Sequence, residues 1–258
     1  VKRVPLTEAA EVVVDKDGKD IKKDALPHDI NEWDNFALEE ALLLKEKFGG
    51  SVTAITVGPD ASDEVLRVCL AKGADNAIRL GDAAFENSDA YATAKVLYST
   101  IKNLNYDLIF TGTQASDDNS GQVGPTLARM LGISHVVLVS KIESINIESK
   151  IAKVQRELEG GYKEVLEVGL PALFAVQTGI NEPRYASIMG IRKAAKKKID
   201  VLNLKNLGLT PEDVGVLGSK SVVERVYIPP MKQAELIKGT PEEVAKKLVE
   251  IFKGAGVI

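Results

Sequence analysis

Apolar positions along this chain keep two rhythms that alternate. Residues 51–57 (SVTAITV) are rich in β-branched side chains and stop at Gly58-Pro59, and residues 77–80, 107–111 and 136–139 are shorter runs of the same kind. Between them, apolar residues recur at three- and four-residue spacing. Phe36, Leu38, Ala41, Leu42 and Leu44 precede Gly49-Gly50, residues 62–72 precede Gly73, Tyr91, Ala94, Leu97 and Ile101 form a third set, and residues 126–131 a fourth. The first rhythm predicts strands and the second helices. Asp34 is expected to cap the first helix and Ser88 the third. Strands that alternate with helices of this length imply βαβ units, and so an α/β fold whose parallel sheet is covered on both faces. Ahead of the series, Asp15-Lys16-Asp17-Gly18-Lys19 between Val12-Val13-Val14 and Ile21 predicts a surface hairpin.

From Lys141 the pattern changes. Residues 142–147, 151–158 and 162–168 alternate in strand fashion around Glu159-Gly160-Gly161, which predicts an antiparallel excursion before a buried strand at 172–177. Asn181-Glu182-Pro183-Arg184-Tyr185 is held extended by its proline and leads to an apolar tip at 186–191, then to a basic run at 192–198. That tip reads either as a docking element or as a buried helix with a solvated basic face. Beyond it, Pro229-Pro230 is a stiff spacer, and Thr240-Pro241-Glu242-Glu243 is a capping box that opens a final helix ending near Gly254. The expected division is a nucleotide-binding α/β domain over 1–200, including the loop at 181–198, and a C-terminal arm and helix over 201–258 that lies on a partner subunit.

The candidate chemistry sits in residues 111–125, TGTQASDDNSGQVGP, between a strand and a helix. A helix start presents unpaired N–H groups and partial positive charge, while Gly121 and Gly124 let the backbone approach an anion. Asn119, Ser120 and Gln122 add neutral donors. The plainer reading is a polar surface loop with a helix cap. Ligands in open α/β sheets lie beyond the C-terminal strand ends, and there the loop meets Val57-Gly58 and Lys2-Arg3, a convergence that favours phosphate. The chain opens Val1-Lys2-Arg3-Val4-Pro5, so the first strand of the series is expected to be absent ahead of Val1.

Composition narrows the classes. With 258 residues, 45% hydrophobic and 27% charged, the chain can bury one substantial core with extensions, or form a main domain and a small second one. A net charge of −4 argues against a nucleic-acid role. No apolar run approaches the roughly 20 residues that cross a bilayer, so no transmembrane segment is expected, and a cytoplasmic location is expected by default. Cys69 lies among Val65, Leu66, Val68 and Leu70 and reads as a core residue; His28 and His135 stand alone, so no metal site is expected. No acid, base or nucleophile constellation is evident, so no catalytic residue is expected.

Several motifs together resemble the β subunit of the electron transfer flavoproteins. They are Val1-Lys2-Arg3-Val4-Pro5, Leu38-Glu39-Glu40-Ala41 with Leu44-Lys45-Glu46, Gly73-Ala74-Asp75, Gln114-Ala115 through Gly124, Arg156-Glu157 with Gly160-Gly161, Leu170-Pro171-Ala172, and Asn181-Glu182-Pro183-Arg184-Tyr185 followed by Lys193-Ala194. The resemblance implies a Rossmann-like fold of the universal-stress and alpha-hydrolase-like kind. It also implies a heterodimer with an FAD-carrying α subunit, and an adenine nucleotide, FAD or AMP, buried in the β subunit. Carried onto this sequence, cofactor contacts fall on Asn31, Glu32, Trp33, Asp34, Val57, Gly112, Thr113, Gln114, Asp118, Asn119, Ser120, Gly121, Gln122 and Val123, with a contribution from the residue before Val1. Trp33 falls where the family places a side chain facing the partner's flavin, and Glu157 where a carboxylate approaches it. Ile188 and Met189 fall at the tip of the recognition loop, with Arg184 and Glu157 also on the docking side. The implied function is to carry electrons between dehydrogenases or NADH and acceptors such as quinone reductase or ferredoxin. Ordinary members hold AMP; bifurcating members hold a second, redox-active FAD and oxidise NADH. Where AMP-binding members commonly place a threonine, this chain has Val123, and its Val-Gly-Pro form looks like the bifurcating group, whereas Asp117-Asp118 looks like the AMP type. The balance leans to FAD. The alternatives are a universal-stress-type nucleotide-binding protein without a redox role and an ATP-pyrophosphatase. The motif at 181–185 and the tail argue against the first, and the lack of a Ser-Gly-Gly-rich loop after the first strand against the second.

Overall fold

The chain enters as β1 (Arg3–Pro5), which pairs antiparallel with β2 (His28–Ile30). Between them the expected hairpin narrows to one antiparallel bridge, Val14 to Ile21. Then α1 (Glu32–Phe48), β3 (Thr53–Val57), α2 (Asp63–Lys72), β4 (Asn76–Leu80), α3 (Ala90–Ile101), β5 (Leu108–Gly112) and α4 (Val123–Leu131) follow in alternation. This computed structural model describes residues 1–8, 11–230, 234 and 236–257.

The excursion is more continuous than its sequence pattern. β6 (Ser134–Asn146) is a single strand of 13 residues rather than two runs, because a bulge with Leu138 at φ +58° redirects it without breaking it. Its first half pairs parallel with β9 (Ala172–Val176), and its second half pairs antiparallel with β7 (Ile151–Glu157), which in turn pairs with β8 (Lys163–Gly169). The five-stranded order is β5-β9-β6-β7-β8, with β5 and β9 parallel. Every residue of β9 is buried. Phe174 faces Val136, Val139, Ala152 and Val154 on one side, while Leu173 and Ala175 face Leu127 and Ala128 of α4 on the other. Burial on both faces is why this strand is uninterruptedly apolar, and each fully buried large side chain there contributes about 1.5–3 kcal/mol.

After β9, residues 181–187 lead to α5 (Ile188–Lys196), and β10 (Asp200–Leu202) adds to the free edge of β4, giving a second parallel block in the order β10-β4-β3. Leu202, Leu204, Leu207, Leu209 and Val214 pack with Leu80, Phe85 and Val96, followed by α6 (Gly215–Gly218). Residues on both sides of position 200 thus pack on β4 and its cluster. The arm leaves from Asp89, which caps α3 by accepting from Ala92 N at 2.9 Å and also accepts from the N–H groups of Lys220 and Ser221 at 2.7 and 2.9 Å. Ser88, expected to be that cap, instead accepts from Gly215 N at 2.9 Å and holds α6. The arm ends in α7 (Pro241–Gly254), whose capping box forms as expected and whose residues are all at least partly exposed.

The two parallel blocks do not join. β3 and β5 flank a groove of about 710 Å3, lined by Leu38, Ala54, Ile55, Ile109 and Leu127 among others. Val1 N donates to Ile55 O at 2.8 Å, and Val1 also lines this groove.

Candidate functional site

The C-terminal end of β5, the start of α1 and residues 113–122 meet at one crevice, and buried polar side chains hold them together. Asp34 does not cap α1; the N-cap position belongs to Asn31. Asp34 is instead buried, its Oδ1 accepting from Gly112 N at 2.8 Å and its Oδ2 from Lys2 N at 2.7 Å. A carboxylate buried this way is matched by two donors, as burial requires. Gly112 has no alternative here, since a Cβ would lie 2.6 Å from Trp33 Cβ. Asn31 is 1% exposed and spans the gap to the loop: Nδ2 donates to Gln114 O at 2.8 Å, and Oδ1 accepts from Ser116 N at 3.2 Å.

The loop is folded from within. Thr113 donates to β9 through its N–H (Val176 O, 3.0 Å) and its hydroxyl (Ala175 O, 3.1 Å). Asp118 Oδ1 accepts from Ser120 N at 2.9 Å, Asn119 adopts φ +50°, and Gly121 follows at φ +62°. Lys2 Nζ lies between Asp117 Oδ1 at 2.6 Å and Asp118 Oδ2 at 2.8 Å. Burial opposes the charge on Lys2, but its bonds to the two carboxylates outweigh that and raise its pKa. Burial likewise opposes the charge on Asp118, and Lys2 with the Ser120 N–H holds it below the usual carboxylate range.

What this frame presents is a helix start without a side-chain cap. Gln122 occupies the N-cap position of α4 and makes no capping bond, so the first-turn N–H groups of Val123 and Gly124 stay free. Beside them the Thr111 hydroxyl is buried with no partner among the described residues, and a Cβ on Gly124 would lie 2.8 Å from it. Free N–H groups, a hydroxyl and the positive end of a helix fit an anion such as a phosphate. Asn119, Ser120 and Gln122 are exposed at the rim, and Val123 packs partly into the α3–α4 core. Glu32 points to solvent in the first turn of α1, and Val57 closes β3 against the Leu80 cluster. Among the expected cofactor residues, hydrogen bonds thus join Asn31, Asp34, Gly112 and Gln114 to one another's segments, whereas no hydrogen bond joins Glu32 or Val57 to the loop.

Sequence reasoning missed Gln177. It follows β9 directly, and its Oε1 accepts from Trp33 Nε1 at 2.7 Å while its Nε2 donates to Glu157 Oε2 at 3.3 Å. The signal available was its place, a lone amide closing an apolar strand at the ligand end of the sheet.

Arg184 reaches back to α1 while staying partly exposed. Its Nε donates to both oxygens of Glu39 at 3.0 Å, its Nη2 to Oε1 at 2.8 Å, and its backbone N to Oε2 at 3.0 Å, with Nη1 on Glu46. The Glu39 side chain is only 5% exposed, so a buried carboxylate on α1 recruits the guanidinium inward. Asn181 joins this clamp through Phe36 O and Glu40. Burial raises the Glu40 pKa, with Asn181 opposing and the Glu39 charge adding. Arg67 pins the far end of α5 by donating to Ala194 O. Ile188 and Met189, 73% and 68% exposed, stand at the free end beside Tyr185 and Ile191. Burial pushes the Cys69 thiol up to about 11, as befits a core residue.

The family model described as electron transfer flavoprotein domain matches residues 20–207. The chain is similar to an electron transfer flavoprotein subunit beta of Methylophilus methylotrophus, 43% identical over 93% of this chain and 92% of that one. It is 40% identical to the caffeyl-CoA reductase-Etf complex subunit CarD of Acetobacterium woodii over 100% of this chain and 97% of that one. With Protein FixA of Azotobacter vinelandii it shares 39% identity over 92% of this chain and 86% of that one. No helix among the described residues is long and apolar enough to cross a membrane.

Proposed function

This chain belongs to the electron transfer flavoprotein family as a β subunit, and on that premise we propose that its crevice holds an adenine nucleotide, FAD rather than AMP. The observation that carries the reading is the uncapped start of α4 beside the unpartnered Thr111 hydroxyl, inside a loop that Asn31 and Asp34 frame. Such a cradle takes a phosphate on neutral donors. Lys2 against Asp117 and Asp118 leaves the neighbouring loop with one excess negative charge. That charge repels the terminal dianion of AMP more than the singly charged phosphates of FAD, and Val123 brings no hydroxyl for a terminal phosphate. Hydride and one-electron chemistry belong to the flavin when bound. The chain supplies its orientation: α4 receives the phosphates, Trp33 walls the crevice, and the Asn31 and Lys2 contacts keep the loop closed.

The partner is an FAD-carrying α subunit, which fits the apolar residues that α7 leaves exposed, Leu248, Val249, Ile251 and Phe252. Residues 219–258 then form the arm that lies on it. The end of α5, with Ile188, Met189 and Tyr185, docks redox partners: dehydrogenases or quinone reductase in an ordinary member, with NADH as donor and ferredoxin as acceptor in a two-flavin complex. The site of action is cytoplasmic, at the membrane face where a quinone-reducing partner lies there. The family match sets the universal-stress reading aside. Releasing and quantifying the cofactors of the purified αβ complex tests the proposal. Two FAD per pair is expected; one FAD with one AMP overturns the FAD reading, and no adenine nucleotide in this subunit overturns the crevice itself.

A further inference from the structure

We propose that Gln177 is a positioning residue that sets the orientation of the Trp33 indole and couples it to Glu157 at the end of β7. The amide has one self-consistent orientation. Its Oε1 accepts from Trp33 Nε1 at 2.7 Å and from Thr178 N at 3.0 Å, and both partners can only donate. Its Nε2 faces the Glu157 carboxylate at 3.3 Å, which as a carboxylate can only accept. Turning the amide over would set an NH2 against two donors and an oxygen against an anion, so the three partners fix it jointly. The backbone beneath is held as well, Gln177 N donating to Val139 O at 2.9 Å.

Trp33 has little freedom of its own at its base. Its Cβ lies where a side chain on Gly112 would begin, 2.6 Å from that ideal position, so the first turn of α1 rests on the end of β5. The indole therefore turns about its side-chain torsions alone, and the Gln177 amide is what holds them. Three elements distant in sequence, α1, the end of β9 and the end of β7, meet in this chain of two hydrogen bonds. A change at Glu157, on the antiparallel extension, reaches the crevice wall through them. The consequence for the cofactor rests on the nucleotide reading above; the relay does not.

Trp33 is the only tryptophan of the chain, so its indole N–H gives one signal. The β chain, labelled with 15N-tryptophan and assembled with its unlabelled α subunit, would be followed by proton–nitrogen correlation spectra and by solvent exchange of that proton. Gln177→Ala, and Gln177→Met as a near-isosteric check on folding, should move the indole signal upfield and speed its exchange about five- to tenfold, the weight of one neutral hydrogen bond. Glu157→Ala should shift the signal the same way by a smaller amount, and Glu157→Gln, whose side-chain oxygen still accepts, should restore it. An indole signal unmoved in both Gln177 variants overturns the assignment. A signal that moves in those variants but not in Glu157→Ala overturns the coupling. Cofactor content is read on the same samples: a wild-type complex without nucleotide in this subunit but with the downfield indole would refute the nucleotide reading and support the relay.

Discussion

Replacing Arg184 with alanine asks whether the segment at 181–187 is first a clamp on α1. The guanidinium meets a Glu39 side chain only 5% exposed, through contacts of 2.8 and 3.0 Å, and also reaches Glu46. At about 3 Å and an effective dielectric of about 20, the attraction between such charges is on the order of 5 kcal/mol, which offsets the desolvation of Glu39. Removing only the cation leaves that carboxylate buried and uncompensated, a change that costs about 3–5 kcal/mol. At about 2–4 °C per kcal/mol for a chain of this size, the melting temperature should fall by about 6–20 °C. Far-ultraviolet circular dichroism melts of the assembled complex read this directly. The double variant Arg184→Met with Glu39→Leu should recover most of the loss, since an apolar pair replaces the ionic one without a stranded charge. If Arg184→Ala melted within about 1 kcal/mol of wild type, within the ordinary worth of a surface pair, while electron transfer slowed, the clamp would be refuted and a docking role favoured.

The other perturbations act on the crevice and on the tip of α5. Gly121→Val places a β-branched residue at φ +62° and should cost about 1–2 kcal/mol in the loop while lowering the nucleotide content of the purified complex; full occupancy would refute the placement. The Lys2 latch carries a pH signature. Asp118 is depressed in the folded chain, so its contribution is present above the unfolded carboxylate pKa and lost as pH falls through the folded one; Lys2 is raised, so its contribution is present below its unfolded pKa and persists to higher alkaline pH. Nucleotide should therefore stay bound across neutral pH and be released on acidification below the carboxylate range, as followed by filtration and absorbance. In Lys2→Met the acid step should shrink, because only the Ser120 N–H then holds the Asp118 charge, and an unchanged acid step would refute the latch. Ile188→Glu should slow electron transfer to dehydrogenase or quinone-reductase partners with flavin content unchanged; lost flavin would mean that α5 is structural.

The elements were legible because periodicity reports burial. β9 reads as an unbroken apolar run because both of its faces are covered, and the alternation around residues 51–131 reports crossover helices in the same way. The capping box at Thr240 was legible because its bonds span only three residues. What sequence could not show is where a polar side chain spends its bonds. Asp34 looked like a cap because caps are local, yet both its oxygens go to segments 32 and 78 residues away. Ser88 failed for the same reason, its hydroxyl reaching Gly215 across 127 residues. Strand β10 was not legible because it is three residues long, too short for a period to register.

These misplacements share a direction, and it bears on how the crevice works. The family resemblance put Asn31 and Asp34 among the cofactor contacts; in the structure their side-chain oxygens, and the amide of Asn31, bond Lys2, Gly112, Gln114 and Ser116. These bonds hold the loop in place, and the donors that stand beside them for a ligand are the backbone N–H groups at the start of α4, the Thr111 hydroxyl and the rim side chains of Asn119, Ser120 and Gln122. Backbone donors at a helix start recognise phosphate and are indifferent to the rest of the molecule. Such a cradle does not by itself choose between AMP and FAD, and on the reading proposed above the choice falls to single positions at its rim such as Val123. In this chain the rim carries no hydroxyl at that position and one excess negative charge. On that account Val123→Thr should shift bound nucleotide from FAD toward AMP without loosening the loop, because Asn31, Asp34 and the Lys2 ion pairs are untouched. A complex whose nucleotide ratio stayed the same would locate the choice elsewhere in the crevice.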